Sequence, residues 1–313
     1  MDKENLNNVL IVGAGVMGSS IAQLVAMGDR NVILMDLDQK VLDRAVILIE
    51  SGLNTMADFG KIPGDRIPSI LGRIQTTTDL AARAEKADFI IEAVSEAPEI
   101  KRDVFLQIGR LCRKDTVIAS NTSGLNIFKL ADIPGPERLI IAHFFAPAHI
   151  IPLVEIVPGK ETSAGTVSLT RSLMERLGKR PVVMKRFGPG FIVNRIQRAI
   201  GEACFDLIEE GLAEPEVIDR AIKLTLGIRL PIIGVVQTCD FQGLDMLLDA
   251  MKSYGKVYSF VEERVKKGRL GVKTSKGIYD YEGRSEPEIL KKRDMLFLKM
   301  IDYLEELKAF DPV

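Results

Sequence analysis

The stretch Val9-Leu-Ile-Val-Gly13-Ala-Gly15-Val-Met-Gly18-Ser-Ser-Ile-Ala22 decides the fold. Four apolar residues run into three glycines spaced G-x-G-x-x-G, and a helical pattern begins straight after them. Gly13 permits a tight turn behind a strand, Gly15 lets the backbone approach a pyrophosphate, and Gly18 allows the helix to pack closely on the strand. A helix start offers unpaired N–H groups and the positive end of its dipole, so Gly13, Gly15, Val16, Met17 and Gly18 are expected to cradle a dinucleotide. Asp36 closes the next apolar run, 23 residues after Gly13. A carboxylate there accepts hydrogen bonds from ribose hydroxyls and repels a 2′-phosphate. With Leu37-Asp38-Gln39 following and no Arg, NAD is expected rather than NADP, FAD being the rival nucleotide.

Working outward, short apolar runs alternate with helical patterns. Expected strands are Val9–Val12, Val32–Met35, Ile74–Thr76, Phe89–Glu92, Val117–Ser120 and Ile140–His143, with Leu153–Val157 and Val182–Met184 extending the series. Several are apolar at every position, as strands covered on both faces must be. Helical patterns such as Ser19–Met27 and Ile100–Cys112 lie between them, so the first part reads as an α/β, doubly wound parallel sheet of Rossmann type. Residues 37–72 are too many for one crossover helix and suggest a projecting helical hairpin. Past the turn-rich Lys185-Arg186-Phe187-Gly188-Pro189-Gly190 the strands stop. Residues 191–210, 215–226, 244–267 and 286–309 read as helices, so a second, all-helical domain is expected over 188–313 after an NAD-binding domain over 1–187.

Composition narrows the function. Lys and Arg number 42 and Asp and Glu 43, a net charge of −1, which lacks the basic footprint of a nucleic-acid binder. Three distant cysteines and no CxxC read as reduced thiols, and two histidines leave little for a metal site. The 20 residues Val9–Gly28 carry no charge, but their three-glycine turn and their polar Ser19, Ser20 and Gln23 argue against a span. Ahead of them MDKENLNN is mixed in charge rather than cationic. A cytoplasmic protein, no membrane association and no metal are the expectations.

His143 ends an expected strand, and in such sheets ligands bind beyond the carboxyl ends of the strands. Glu155 follows 12 residues later. An imidazole suits removal of an alcohol proton, and a carboxylate behind it would fix the tautomer. On spacing alone a buried, satisfied His143 with a surface Glu155 reads equally well. His149, in a Pro-flanked loop, reads as a loop residue.

The chain resembles the L-3-hydroxyacyl-CoA dehydrogenase family over nearly its whole length. The resemblance is carried by Val12–Gly18, Ile91-Glu-Ala-Val, Ser120-Asn-Thr-Ser123, His143-Phe-Phe-Ala-Pro147, Leu153-Val-Glu-Ile-Val157, Pro189-Gly-Phe-Ile-Val-Asn-Arg195, Gly243-Leu-Asp and Gly271–Tyr279. It implies NAD-dependent oxidation of an L-3-hydroxyacyl-CoA to the 3-keto thioester, with His143 as general base and Glu155 orienting it. It also implies that Ser123 and Asn194 contact the substrate oxygen, and that Glu96, Lys101, Ser123 and Lys273 touch NAD. A homodimer through the C-terminal domain is a further implication, with Ile218, Ile222, Leu224 and Leu226 as candidate apolar contacts. Three departures keep other substrates open. Ala146 stands where the family has Asn, Gly234-Val-Val replaces Gly-Pro-Phe, and the hairpin offers mainly Lys61 and Arg66 amid Asp58 and Asp65 for CoA phosphates. A dehydrogenase of a free 3-hydroxy acid, such as gulonate or carnitine, and a non-catalytic NAD-binding protein remain alternatives.

Overall fold

A computed structural model describes residues 6–311, so part of the mixed-charge leader, Met1–Asn5, lies outside the described residues. The elements run β1 (Asn8–Val12), α1 (Val16–Met27), β2 (Asn31–Met35), α2 (Gln39–Asp58), α3 (Ile67–Leu71), β3 (Ile74–Thr77), α4 (Ala81–Ala84), β4 (Phe89–Glu92), α5 (Pro98–Leu111), β5 (Val117–Ser120), α6 (Ile127–Leu130), β6 (Leu139–Phe144), β7 (Leu153–Pro158), α7 (Ala164–Arg176) and β8 (Arg180–Val183). Helices follow: α8 (Val193–Glu209), α9 (Pro215–Leu224), α10 (Leu226–Gln242), α11 (Leu244–Ser253), α12 (Ser259–Lys266) and α13 (Glu286–Glu306).

The strands form one sheet ordered β3-β2-β1-β4-β5-β6-β7-β8. Its apolar runs face two layers. Val9 and Ile11 join one core with Ile21, Leu42, Ile49 and Leu53, whereas Leu10 and Val12 join the other with Phe105 and Ile108. This double cover explains why the strands show no alternation in sequence. One pairing departs from the expected parallel arrangement: β6 and β7 are antiparallel, in a register that sets His143 opposite Glu155. The eight residues between these strands form a direct hairpin connection, which reverses the chain without a crossover helix. The last strand begins at Arg180 rather than Val182, because this edge strand is largely exposed and carries little apolar signal.

The expected hairpin of residues 37–72 does not project. Leu42, Ala45, Ile49 and Leu53 form a buried stripe on α2, and Ile70 of α3 joins the same core as α1. Their spacing of three and four residues is that of a helix face committed to packing.

The chain divides into two compact units, one up to Ala199 and one from Ile200. The division falls inside α8, beyond the boundary expected near residue 188. The reason is local: Ile192 N–H and Val193 N–H both donate to Glu155 of β7, which ties the first turn of α8 to the first unit. Within the second unit, the single helix expected over 244–267 breaks at Gly255, which sits at φ +73, and helix α10 appears where no helix was expected. Pro231 and a non-helical Gly234 interrupt α10, which weakens its periodicity. Among the described residues no single helix is long and apolar enough to cross a membrane, and the bent pair α9 and α10 reaches that length and composition only across a 62° break.

The glycine turn makes a sharp distinction. A Cβ on Gly18 would sit 1.8 Å from the Gly13 carbonyl oxygen, whereas one on Gly15 meets nothing within 4 Å. Gly18→Ala is therefore expected to cost at least ~1–3 kcal/mol of stability and Gly15→Ala less than ~0.5 kcal/mol, read from urea midpoints.

Candidate active site

The β1–α1 turn opens on a cavity of about 590 Å³ lined by Gly13, Gly15, Val16, Met17, Met35 and Asp36, among others. Gly13 holds φ +102 and its N–H donates to the Met35 carbonyl at 2.8 Å, so the turn is locked to the end of β2. Asp36 reinforces this link, its Oδ2 accepting from Ala14 N–H at 2.8 Å. The open space over Gly15, the uncapped start of α1 and the carboxylate at the cavity edge fit a dinucleotide. Gly13, Gly15, Val16, Met17 and Asp36 thus share one cavity, whereas Gly18 does not line it and packs against the Gly13 carbonyl instead.

Glu96 and Lys101 do something the sequence did not show. Lys101 is buried, 1% exposed, and its Nζ lies 2.6 Å from Glu92 Oε1 and 3.2 Å from Glu96 Oε2. Glu92, wholly buried, accepts Ser120 Oγ–H at 2.5 Å on its other oxygen. Glu96 Oε1 accepts from the Thr122 hydroxyl and from the Ser123 and Gly124 amides at 2.9 and 3.2 Å. Burial pushes the Glu96 carboxyl up, but the Thr122 hydroxyl, the Lys101 charge and the Ser123 amide outweigh it and hold the group below the usual range. Lys101 therefore spends its ammonium on two carboxylates, and Glu96 shapes the turn that carries Ser123. A buried ammonium needs such partners, since an unpaired charge would cost several kcal/mol. Glu92 was missed because a glutamate inside an apolar strand gives no hint of its partner nine residues on.

At the far end of β6, His143 is 3% exposed and Glu155 1% exposed. His143 Nδ1 lies 2.9 Å from Glu155 Oε2, and Glu155 Oε1 accepts from the Ile192 and Val193 amides at 3.0 Å each. Burial raises the Glu155 carboxyl; the hydrogen bonds from His143, Val193 and Ile192 more than offset this and keep it below the usual carboxylate range. An ionised carboxylate only accepts, so the proton between the two groups resides on Nδ1, leaving the Nε2 lone pair available. Among the described residues Nε2 makes no hydrogen bond.

The amides reach Glu155 through a strained turn. Gly190 and Phe191 both hold positive φ, +71 and +50, and Phe191 is buried with its ring 5.3 Å from His143. A left-handed aromatic residue costs of order 1–3 kcal/mol and persists where its surroundings demand it. Phe145 flanks the imidazole on another side at 4.5 Å. Asn194, in the first turn of α8, donates Nδ2–H to the Ser123 carbonyl at 3.2 Å, which brings these two expected site residues together. Lys273 belongs to the second unit, where it pairs with Asp245 at 2.5 Å. Phe191, Ile192 and Val193 lie in the Pro189–Arg195 motif that carries the resemblance, but backbone amides give no side-chain sign that they aim at Glu155.

Because hydrogen bonds from His143, Val193 and Ile192 hold its folded carboxyl below the ordinary carboxylate value, Glu155 stabilises the fold above that ordinary value, and the contribution is lost as the pH falls through the folded value. Glu155→Gln should accordingly be less stable than the parent at pH 7, with the gap in urea midpoints closing on acidification towards pH 3.

Comparisons with known proteins place the chain in a family. The family model for the 3-hydroxyacyl-CoA dehydrogenase NAD binding domain matches residues 8–187, and that for the 3-hydroxyacyl-CoA dehydrogenase C-terminal domain matches residues 190–281. A probable 3-hydroxybutyryl-CoA dehydrogenase of Deinococcus radiodurans is 36% identical over 87% of this chain and 99% of its own. A 5-formyl-3-hydroxy-2-methylpyridine 4-carboxylate 5-dehydrogenase of Mesorhizobium japonicum is 34% identical over 88% of this chain and 91% of its own. The crystal structure of a 3-hydroxyacyl-CoA dehydrogenase from Archaeoglobus fulgidus superposes with a TM-score of 0.80 at 31% identity, covering 96% of this chain and 99% of that one. With a dinucleotide cavity behind the glycine turn and both halves of the chain matched in order, this protein belongs to the 3-hydroxyacyl-CoA dehydrogenase family and is an NAD-dependent oxidoreductase acting on a CH–OH group.

Proposed function

We propose that the chain oxidises the hydroxyl of an L-3-hydroxyacyl thioester to the ketone, reversibly, with His143 as general base and Glu155 as its orienting partner. The observation that carries this reading is the buried Nδ1···Oε2 contact at 2.9 Å, which leaves Nε2 as the basic atom. NAD, when bound, supplies the hydride acceptor. His143 Nε2 takes the hydroxyl proton, and the resulting imidazolium is stabilised by Glu155, itself held by the Ile192 and Val193 amides. Asn194 and the exposed Ser123 hydroxyl supply donors to the substrate oxygen, Asn194 being steadied by the Ser123 carbonyl. The aromatic rings of Phe145 and Phe191 exclude water from the imidazole. Gly13, Gly15, Val16, Met17 and Asp36 would hold NAD, with Gly18 packed behind them.

A second reading, a free 3-hydroxy acid as substrate, is favoured by one observation. Arg66, one of the few cations of the α2–α3 region, is committed to Asp29 at 2.8 Å. The exposed Val46, Ile47 and Leu48 leave that stretch of α2 apolar where thioester phosphates would want charge.

We further propose a homodimer formed through the helical unit. Helix α8 buries none of its residues, and Ile196, Ile200 and Phe205 stand exposed on it, with Val217, Val235 and Val236 exposed on α9 and α10. Of the contacts expected from sequence, Leu224 is exposed but Ile218 is buried within its own unit. Patches of this kind on a free monomer are uncommon.

His143→Gln is expected to reduce kcat by at least ~100-fold while leaving NADH binding nearly intact, measured by NADH absorbance and fluorescence titration. Retained turnover would remove His143 from the role of base. Light scattering should return a dimeric mass, and a monomeric mass would dismiss the proposed interface.

A further inference from the structure

The turn-rich segment Lys185-Arg186-Phe187, which in sequence marks only a domain junction, borders a further cavity of the first unit. Its volume is about 750 Å³, within the range of small-molecule sites. Helix α6, the connection after β7 and the segment after β8 form its walls. None of its lining residues is shared with the dinucleotide cavity. It lies where β6 begins, at Leu139, whereas His143 stands near the other end of that strand, about 13 Å away by strand rise. The cavity therefore belongs to neither the cofactor nor the base.

Four cations line this space: Lys129, Lys160, Lys185 and Arg186. All four are exposed, and among the described residues none makes an ion pair or a side-chain hydrogen bond. Two acids, Asp132 and Glu161, share the lining without pairing with them. Elsewhere Arg66, Arg113 and Lys273 each find a carboxylate, so the cluster is a set of uncommitted positive charges. Like charges around one hollow repel each other, and an anion between them relieves the repulsion. The apolar wall is ordered. Phe128 and Phe187, both half-buried, pack edge to face with centroids 6.4 Å apart, and Phe187 packs likewise on Phe191 at 6.0 Å. Gly159 lets the chain pass against Phe128, since a Cβ there would fall 2.4 Å from the ring. The Thr162 hydroxyl donates to the Leu139 carbonyl at 2.6 Å and accepts from Gly159 N–H at 2.8 Å, which fixes the connection that carries Lys160. Asn126 Oδ1, at the same wall, is buried and meets no donor among the described residues.

Clustered ammonium and guanidinium groups suit phosphate oxygens, and two rings with an unmet acceptor suit a flat base that carries an N–H donor. We propose that this cavity binds a nucleoside diphosphate or triphosphate, its phosphates among Lys129, Lys160, Lys185 and Arg186 and its base against Phe128 and Phe187. It is a second nucleotide site, separate from the dinucleotide cavity. The proposal is independent of the substrate and of the role given to His143.

The test is calorimetric titration of the full chain carrying one equivalent of NADH, with ADP, pyrophosphate and adenosine as probes. ADP should bind with a Kd below about 1 mM, pyrophosphate about 10-fold more weakly and adenosine not measurably. The Lys160→Ala/Arg186→Ala double variant removes two exposed side chains and should weaken ADP at least ~10-fold, with NADH affinity unchanged. Asp132→Asn removes a negative charge from the lining and should tighten ADP about 2- to 5-fold, a gain that a damaged fold would not give. Added salt should weaken ADP in the parent. No heat with ADP at about 5 mM, or equal ADP affinity in the parent and the double variant, overturns the proposal. So does ADP that releases the bound NADH, followed by its fluorescence, since that places ADP in the dinucleotide cavity. Pyrophosphate that binds as tightly as ADP overturns the nucleoside and leaves a plain phosphate site. Should the double variant fail to bind NADH, Asp132→Asn decides alone: tightening supports the site, and unchanged affinity overturns it.

Discussion

Nearly all of the site's arrangement depends on keeping one carboxylate ionised inside the protein. Glu155 is 1% exposed, and an isolated charge at such a position would be unaffordable or would neutralise itself by taking up a proton. Three donors prevent that: the imidazole of His143 and the amides of Ile192 and Val193. The donors come from two different parts of the fold. The antiparallel β6·β7 register brings in the imidazole, and the left-handed turn at Gly190 and Phe191 aims the amides. The two amide contacts also tie the start of α8 to the sheet, which is why the compact first unit extends to Ala199.

A second charge system, buried at Glu92 and Lys101 and reaching the surface at Glu96, performs a parallel service on the neighbouring strands. Glu92, Lys101 and Glu96 form a continuous ion network running from the interior of β4 to the turn after β5. Its outer oxygen organises the amides of Ser123 and Gly124, and the Ser123 carbonyl in turn steadies Asn194. Removing one member of such a network strands the others in low dielectric, so its worth is geometric definition more than net stability. Two networks rooted in the interior therefore converge on Ser123, Asn194 and His143, the groups proposed to meet the reacting oxygen.

The comparisons and the geometry agree on the redox class and diverge on the substrate's far end. Relatives of nearly equal identity act on a CoA thioester and on a pyridine carboxylate, by their names. Departures in this chain include Ala146, the apolar outer side of α2 and the pairing of Arg66 with Asp29. Chemistry at the carbinol carbon needs a base and a hydride acceptor whatever the substrate's tail is, so the two features can vary independently.

The sequence by itself determined the strand–glycine–helix unit, Asp36 at the end of β2, the helical second part and the candidate residues His143 and Glu155. These are legible because each is local: a turn that admits only glycine, a carboxylate at a fixed distance along the chain, an apolar run long enough to be a strand. Tertiary structure decided the rest. Lys101 turned out to face Glu92 and Glu96, His149 turned out to hold Ser20, and residues 37–72 lie against α1 rather than projecting. The antiparallel register of β7 and the aim of the Ile192 and Val193 amides at Glu155 were decided by packing, although the short connection before β7 and the Pro189–Arg195 motif were visible in the sequence. Backbone donors look alike in every residue, and a buried charge declares its partner only when distant segments meet, so their positions follow from packing and not from the identity of any one side chain.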